Sequence, residues 1–200
     1  MIEAFREIAG IEISPNRKDL SGKTDVEIIN DLLALNQKSV SNLLVQRILD
    51  TYTDILDCRL SISPPSVIGG VLLALAEIAS MTQYRNCVVT GNCQSGANIK
   101  LRHADLLKFF SCDHIFTSSI ERAARHEILE KAIKFVGNFA IVIGDSPSDI
   151  LAARKFDLVS VAVLTGQHSQ EELAQYKPSY LLSSDWSVSE LFEILREISV

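Results

Sequence analysis

The 200-residue sequence has no Cys-x-x-Cys pair; its four cysteines, Cys58, Cys87, Cys93 and Cys112, are scattered. Reduced core or loop residues are the expectation for them, with a zinc site as the alternative. The four histidines, His103, His114, His126 and His168, show no metal-like spacing. No serine or cysteine sits in a recognisable elbow with a histidine partner. No apolar run is long enough to span a bilayer: the best stretch, Val67 to Ala79, is interrupted by Glu77. Met1 to Glu7 is charged and amphipathic rather than a signal peptide, so the cytoplasm is the expected location. A basic cluster is also lacking. The net charge is -6 and the pI near 5.2, which argues against nucleic acid as the main partner. A phosphorylated small molecule remains compatible, because a local site can be positive on an acidic protein.

The composition is 47% hydrophobic and 22% charged, which suits one globular unit or a core with a small accessory domain. The first third reads as helical. Met1–Ala9 ends at Gly10, and Ser14-Pro15-Asn16 is a turn signal. Thr24 or Asp25 can cap a helix over Val26–Leu35. Leu44, Ile48, Tyr52 and Ile55 give helical spacing between Val40 and Cys58. Ser61–Ser66, with Pro64-Pro65, reads as a linker. From Val67 onward strands and helices alternate. Strands are expected at Cys87–Thr90, Ile115–Thr117, Phe139–Ile143, Val159–Leu164 and Tyr180–Leu182. Helices are expected at Val67–Ser80, Ile99–Phe109, Ala124–Phe135, from Ser169, and at Trp186–Ile198. That alternation implies a parallel, doubly wound α/β sheet. The expected domains are 1–63, helical, and 64–200, α/β.

The segment Phe139–Arg154, FAIVIGDSPSDILAAR, carries the clearest chemistry. Asp145 stands at the carboxyl end of a strand, where open α/β sheets place ligands. Ser148 is a candidate N-cap, and Asp149 falls in the first helical turn. Two carboxylates four residues apart suit one hard cation of the Mg2+ type. The competing reading is an ordinary turn, with Asp149 serving only the helix N-terminus. Thr90-Gly91-Asn92 ends an earlier strand, where a hydroxyl and turn N–H groups can hold phosphate oxygens; a purely structural turn is the competing reading and, for the motif taken alone, the favoured one. The following Gly91–Gly96 spacing is Walker-like, but Ala97-Asn98 stands where a P-loop needs Lys-Ser/Thr. Arg122, Arg125 and His126 lie near the next strand end, Arg125 being the better candidate for phosphate charge.

Taken in order, these segments resemble the haloacid dehalogenase (HAD) superfamily of hydrolases, specifically phosphatase-like members with a helical cap. Ser21-Gly22-Lys23-Thr24-Asp25 matches the cap, Val88–Asn92 the second motif, Arg125 the third, and Gly144–Ile150 the fourth. Ala152-Ala153-Arg154 and Val161–Gly166 continue the pattern. The resemblance implies a Rossmannoid parallel sheet, Mg2+, and a small phosphorylated metabolite split through an aspartyl-phosphate. It would assign Asp145 and Asp149 to the metal. Thr90, Gly91, Asn92 and Arg125 would hold the phosphate, and Lys23 and Thr24 would face substrate from the cap. A phosphoglycolate-like substrate is the family-level expectation.

The sequence departs from that family in one respect. It contains no Asp-x-Asp-Gly-Thr, the motif that carries the nucleophile and the general acid on a strand ahead of the cap. Met1 already aligns with cap, so about 20 residues are expected to be missing, including a strand of ~5–6 residues. In the family this strand lies mid-sheet, between the Cys87–Thr90 and Phe139–Ile143 strands. Three outcomes follow: a fragment of an active enzyme, closure of the two strands on each other, or a segment filling the gap, from a neighbouring molecule in one version. Open edges favour self-association. Mg2+ binding is expected to be weak or absent, and the 200 residues to lack normal turnover. The alternative is a non-catalytic, phosphate- or metabolite-binding relative. A receiver-like or nucleotide-binding module is a third reading, but it gives the helical third no role.

Overall fold

The computed structural model describes residues 1–14, 20, 22–121, 124–137 and 139–198. Pro15, Asn16, Ser21 and Arg122, named above, lie outside the described residues. In chain order the helices and strands are α1 (Ile2–Ala9), α2 (Asp25–Leu35), α3 (Asn42–Ile62), α4 (Val71–Ala79), β1 (Val88–Cys93) and α5 (Gln94–His103). They continue with β2 (Ile115–Ser118), α6 (Arg125–Val136), β3 (Ile141–Gly144), α7 (Pro147–Lys155), β4 (Val159–Val163), α8 (Gln170–Ala174), β5 (Tyr180–Leu182) and α9 (Val188–Ile198). Among the described residues, no helix is long and apolar enough to cross a membrane.

The helical third builds its own core. Phe5, Ile29, Leu33 and Ile48 are fully buried, and Val26, Val45 and Leu49 pack with them. Helix α1 stops where Gly10 adopts φ +65° and returns its N–H to Phe5, a left-handed end that glycine enters without strain. Helix α2 starts at Thr24: the Glu27 N–H donates to Thr24 Oγ1 (3.1 Å) and the Thr24 N–H to Glu27 Oε2 (2.8 Å). That reciprocal box satisfies two N-terminal donors. The core of this helical layer also takes in Cys93, from the end of β1. The helices are therefore seated on the α/β part, through α2 against β1 and α3 against α5.

All strand pairings are parallel, as the alternation of strands and helices implies, but the sheet is not continuous. Among the described residues β1 pairs only with β2, and β3–β4–β5 form a second sheet. The strands β1 and β3 have not closed on each other, so each keeps one edge without a strand partner. The halves are joined from one side by helices. Helix α6 packs on β1 and β2, α7 on β3 and β4, and the two helices touch. Val89 of β1 and Val142 of β3 both pack on Leu129, Ile133 and Ala152 of these helices. The opposite face of the second sheet, with Val161, Val163 and Leu182, is covered by α4 and α9 through Ala74, Leu191 and Phe192.

Three local expectations shift. The helix expected at Ile99–Phe109 runs from Gln94 to His103. Its start follows β1 without a loop, so Gly96 and Ala97 pack inside the first turn, and Asp105 (φ +56°) marks the chain's exit. The N-cap of α7 is Ser146 rather than Ser148, because Pro147 with its fixed φ occupies the first helical position. Strand β3 begins two residues late, leaving Phe139 fully exposed.

Candidate functional site

The carboxyl ends of β1 and β3 carry the candidate residues. Within β1, which runs on to Cys93 rather than ending at Thr90 in a turn, the Asn92 N–H donates to Thr90 Oγ1 (3.2 Å), and Lys100 from α5 donates to Asn92 Oδ1 (3.0 Å). Ser118, at the end of β2, donates its hydroxyl to the Gly91 carbonyl (2.8 Å). Gly91 is required here: a Cβ would lie 2.9 Å from Thr24 Cα, closer than side-chain carbons approach. The loop before α2 thus sits directly on the Thr90–Asn92 segment of β1. It also reaches across the gap, because Gly22 (φ +78°) lies against Ser148 and Ser146 of α7.

After β3, Asp149 folds back over Gly144 and takes the Ser146 N–H (3.2 Å) and hydroxyl (2.7 Å) on Oδ2. The reading of Asp149 as a helix N-terminal group is therefore realised. Its other oxygen faces Arg125 Nη2 at 3.5 Å, with both side chains largely buried. Arg125 also donates through Nη1 to the Val89 carbonyl of β1 (3.4 Å), while its Nε is buried with no hydrogen-bond partner among the described residues. One guanidinium therefore spans the split sheet, from β1 backbone to α7 carboxylate. Asp145 is exposed and its carboxylate lies against Gly166, after β4.

The structure brings Thr90, Gly91, Asn92, Thr24, Arg125 and Asp149 to one end of the two sheets, with Asp145 at its rim. Thr24 is fully buried, its hydroxyl engaged in the cap of α2. The Lys23 ammonium is bridged to Asp31 at 2.9 Å.

Sequence reasoning missed Asp25 as a member of this site. Buried at 6% exposure, it accepts the Cys93 N–H on Oδ2 (2.9 Å) and the Asn92 side-chain amide (3.3 and 3.4 Å). A helical-layer carboxylate thus takes a donor at the N-terminus of α5. Its nearness adds to burial in raising the Tyr52 phenol, burial being the larger cause. Burial also pushes the Cys93 thiol up to about 11, so it is a neutral thiol. The available signal was an acid directly after the cap threonine, which reads equally well as a helix-start residue.

Among the described residues, no group of three or more His, Cys, Asp or Glu side chains could hold a metal. Asp145 and Asp149 nevertheless fit Mg2+ in kind: both are hard oxygen donors at one strand end. Mg2+ commonly takes one or two carboxylates and completes its shell with water and phosphate.

Comparison with known proteins gives a consistent picture. Residues 119–186 match the sequence profile of the family described as HAD-hydrolase-like. No curated protein matches the chain in sequence. A HAD hydrolase of family IA, variant 3, from Entamoeba histolytica superposes with a TM-score of 0.73 at 18% identity, over 100% of this chain and 90% of that one. A predicted phosphatase from Clostridium acetobutylicum gives 0.67 at 19% identity, over 98% and 92%. A beta-phosphoglucomutase from Clostridium difficile gives 0.68 at 20%, over 98% and 87%.

Proposed function

Starting from a chain with the haloacid dehalogenase-like fold, whose residues 119–186 also carry that family's pattern, we propose that it holds a small phosphorylated metabolite. The manner is that of Mg2+-dependent phosphate-monoester hydrolases. The observation that carries this reading is the placement of Arg125. It bridges the Val89 carbonyl of β1 to Asp149 and, among the described residues, keeps a buried donor, Nε, without an acceptor. A buried N–H without an acceptor has room for a water, an ion or a ligand atom as its partner, and a phosphate oxygen would supply the acceptor. The carboxyl-terminal half of β1 adds the Thr90 hydroxyl, and the start of α5 follows it directly. Asp145 and Asp149 would hold Mg2+, which when bound neutralises phosphate charge. Residues 1–63 act as the cap of this site and 64–200 as its core. Lys23 and Thr24 place the cap loop over the Thr90–Asn92 segment.

These 200 residues on their own do not turn the ester over. No Asp-x-Asp-Gly-Thr occurs in them, and removing a covalent nucleophile costs on the order of 10^6 in rate in serine proteases. Incubating the purified chain with para-nitrophenyl phosphate and Mg2+ should release no product above background, and metal-dependent turnover would refute this part. Binding is tested separately. Inorganic phosphate should shift the backbone NMR signals of Thr90–Asn92, and Arg125→Ala should weaken its affinity about tenfold or more. Equal affinity in the variant would remove Arg125 from the site.

A further inference from the structure

A polar cavity of about 300 Å³ opens between α3 and the strand ends, at the small end of ligand sites. The α3 side contributes Gln46, Asp50 and Thr53, and the α/β side Cys93, Gln94, Ser95 and Ser118–Glu121. Its floor is contiguous with the Thr90–Asn92 segment of β1, because Cys93 follows Asn92 and the Ser118 hydroxyl donates to Gly91. Thr53 and Ser118 are buried, at 7% and 3% exposure. Each hydroxyl spends its hydrogen on a backbone carbonyl, Thr53 on Asp50 and Ser118 on Gly91, and so presents lone pairs as acceptors. The buried Cys93 thiol is neutral. The charged lining groups are Asp50 and Glu121, both carboxylates. Gln46 donates to Asp50 (2.8 Å) and Ser119 to Glu121 (3.4 Å), which orients both acids at the rim. Among the described residues, no lysine or arginine lines the cavity.

We infer that this cavity takes the part of the substrate beyond its phosphate, and that this part is a donor-rich amine or hydroxyl group rather than an acid. The inference rests on the phosphate-site reading above. It runs against the phosphoglycolate-like expectation, since a second carboxylate would enter a cavity with two carboxylates and, among the described residues, no cation. Coulomb repulsion from the two exposed rim acids, within a Debye length of the cavity mouth, penalises that tail.

Three probes decide the matter on the 200-residue chain: phosphorylethanolamine, glycerol 3-phosphate and phosphoglycolate, titrated by NMR at low salt. Phosphorylethanolamine should bind about tenfold tighter than phosphoglycolate, with glycerol 3-phosphate between them. The amides of Gln46, Thr53 and Ser119 should move with the first two probes. Asp50→Asn combined with Glu121→Gln should bring the ratio close to one, as should 0.5 M salt in part. Phosphoglycolate binding as tightly as phosphorylethanolamine would overturn the inference, as would a ratio unchanged in the double variant. Shifts in the cavity set without shifts at Thr90–Asn92 would uphold the cavity and refute the phosphate site. Shifts at Thr90–Asn92 alone, with all three probes, would do the reverse. Shifts in neither set would refute both.

Discussion

Strands β3 and β4 are neighbours, yet they live in different surroundings. Strand β3 is Ile141-Val142-Ile143-Gly144, and none of its residues is buried; Ile143 is 46% exposed. Strand β4 is Val159-Ser160-Val161-Ala162-Val163, less apolar because it contains a serine, and its last four residues are buried. The buried Ser160 is satisfied by a reciprocal pair with Ser179, N–H to Oγ in each direction (3.2 and 3.1 Å). What separates the two strands is pairing. Strand β4 has a strand on each side and helices on both faces, whereas β3 has a strand on one side only. Hydrophobicity selects residues able to be buried. Position in the sheet decides whether they are.

This contrast can be broken or sharpened by measurement. The largest effect is expected in native-state hydrogen exchange. Amides of β4 should exchange about 100-fold slower than the average over β1 and β3, because edge groups open with less of the fold. Equal protection would mean the half-sheets behave as one. A matched pair of truncations comes next. Val161→Ala removes packing at a site 1% exposed and should cost about 2 kcal/mol in urea unfolding, whereas Ile143→Ala should cost less than half as much despite its larger side chain. The reverse order would show that β3 is covered in solution. Smaller still, Gly91→Ala presses a methyl group onto the Thr24 backbone, 2.9 Å from its Cα. It should cost about 1–2 kcal/mol and loosen the loop that spans the gap, read as raised exchange at Lys23–Glu27.

The smallest effect concerns the clasp between α3 and α5. Asp57 accepts from His103 Nε2 and Arg102 Nη2, both at 2.6 Å. The His103 contact foremost, then Arg102, holds the Asp57 carboxyl below its ordinary value. A depressed folded-state pKa adds stability that is present above the unfolded value near pH 4 and is lost as pH falls through the folded one. Asp57→Asn should therefore flatten stability slightly below about pH 4 and leave the profile near neutrality unchanged in shape. The carboxylate is solvent-exposed, so salt should erase the difference.

Much of this protein was written locally. The helical first third follows from 3.6-residue spacing and its caps, and Thr24 with Glu27 makes the box their spacing allows. Strand and helix alternation after Val67 carried the parallel α/β class. Asp145 and Asp149 at a strand end, Thr90–Asn92 at another, and Arg125 between them were all readable, because each stands at a fixed offset from a strand or helix boundary. Tertiary structure decided the rest. Only the assembled chain shows that β1 and β3 remain apart, that Arg125 links the β1 backbone to the Asp149 carboxylate of α7, and that Asp25 crosses from the helical layer to the N-terminus of α5. The cavity, with its two carboxylates and buried hydroxyls, draws on residues more than 70 positions apart. Periodicity and capping act over a few residues and leave a local trace. Edge pairing, burial and charge convergence depend on which distant segments meet, and no short stretch of sequence records that.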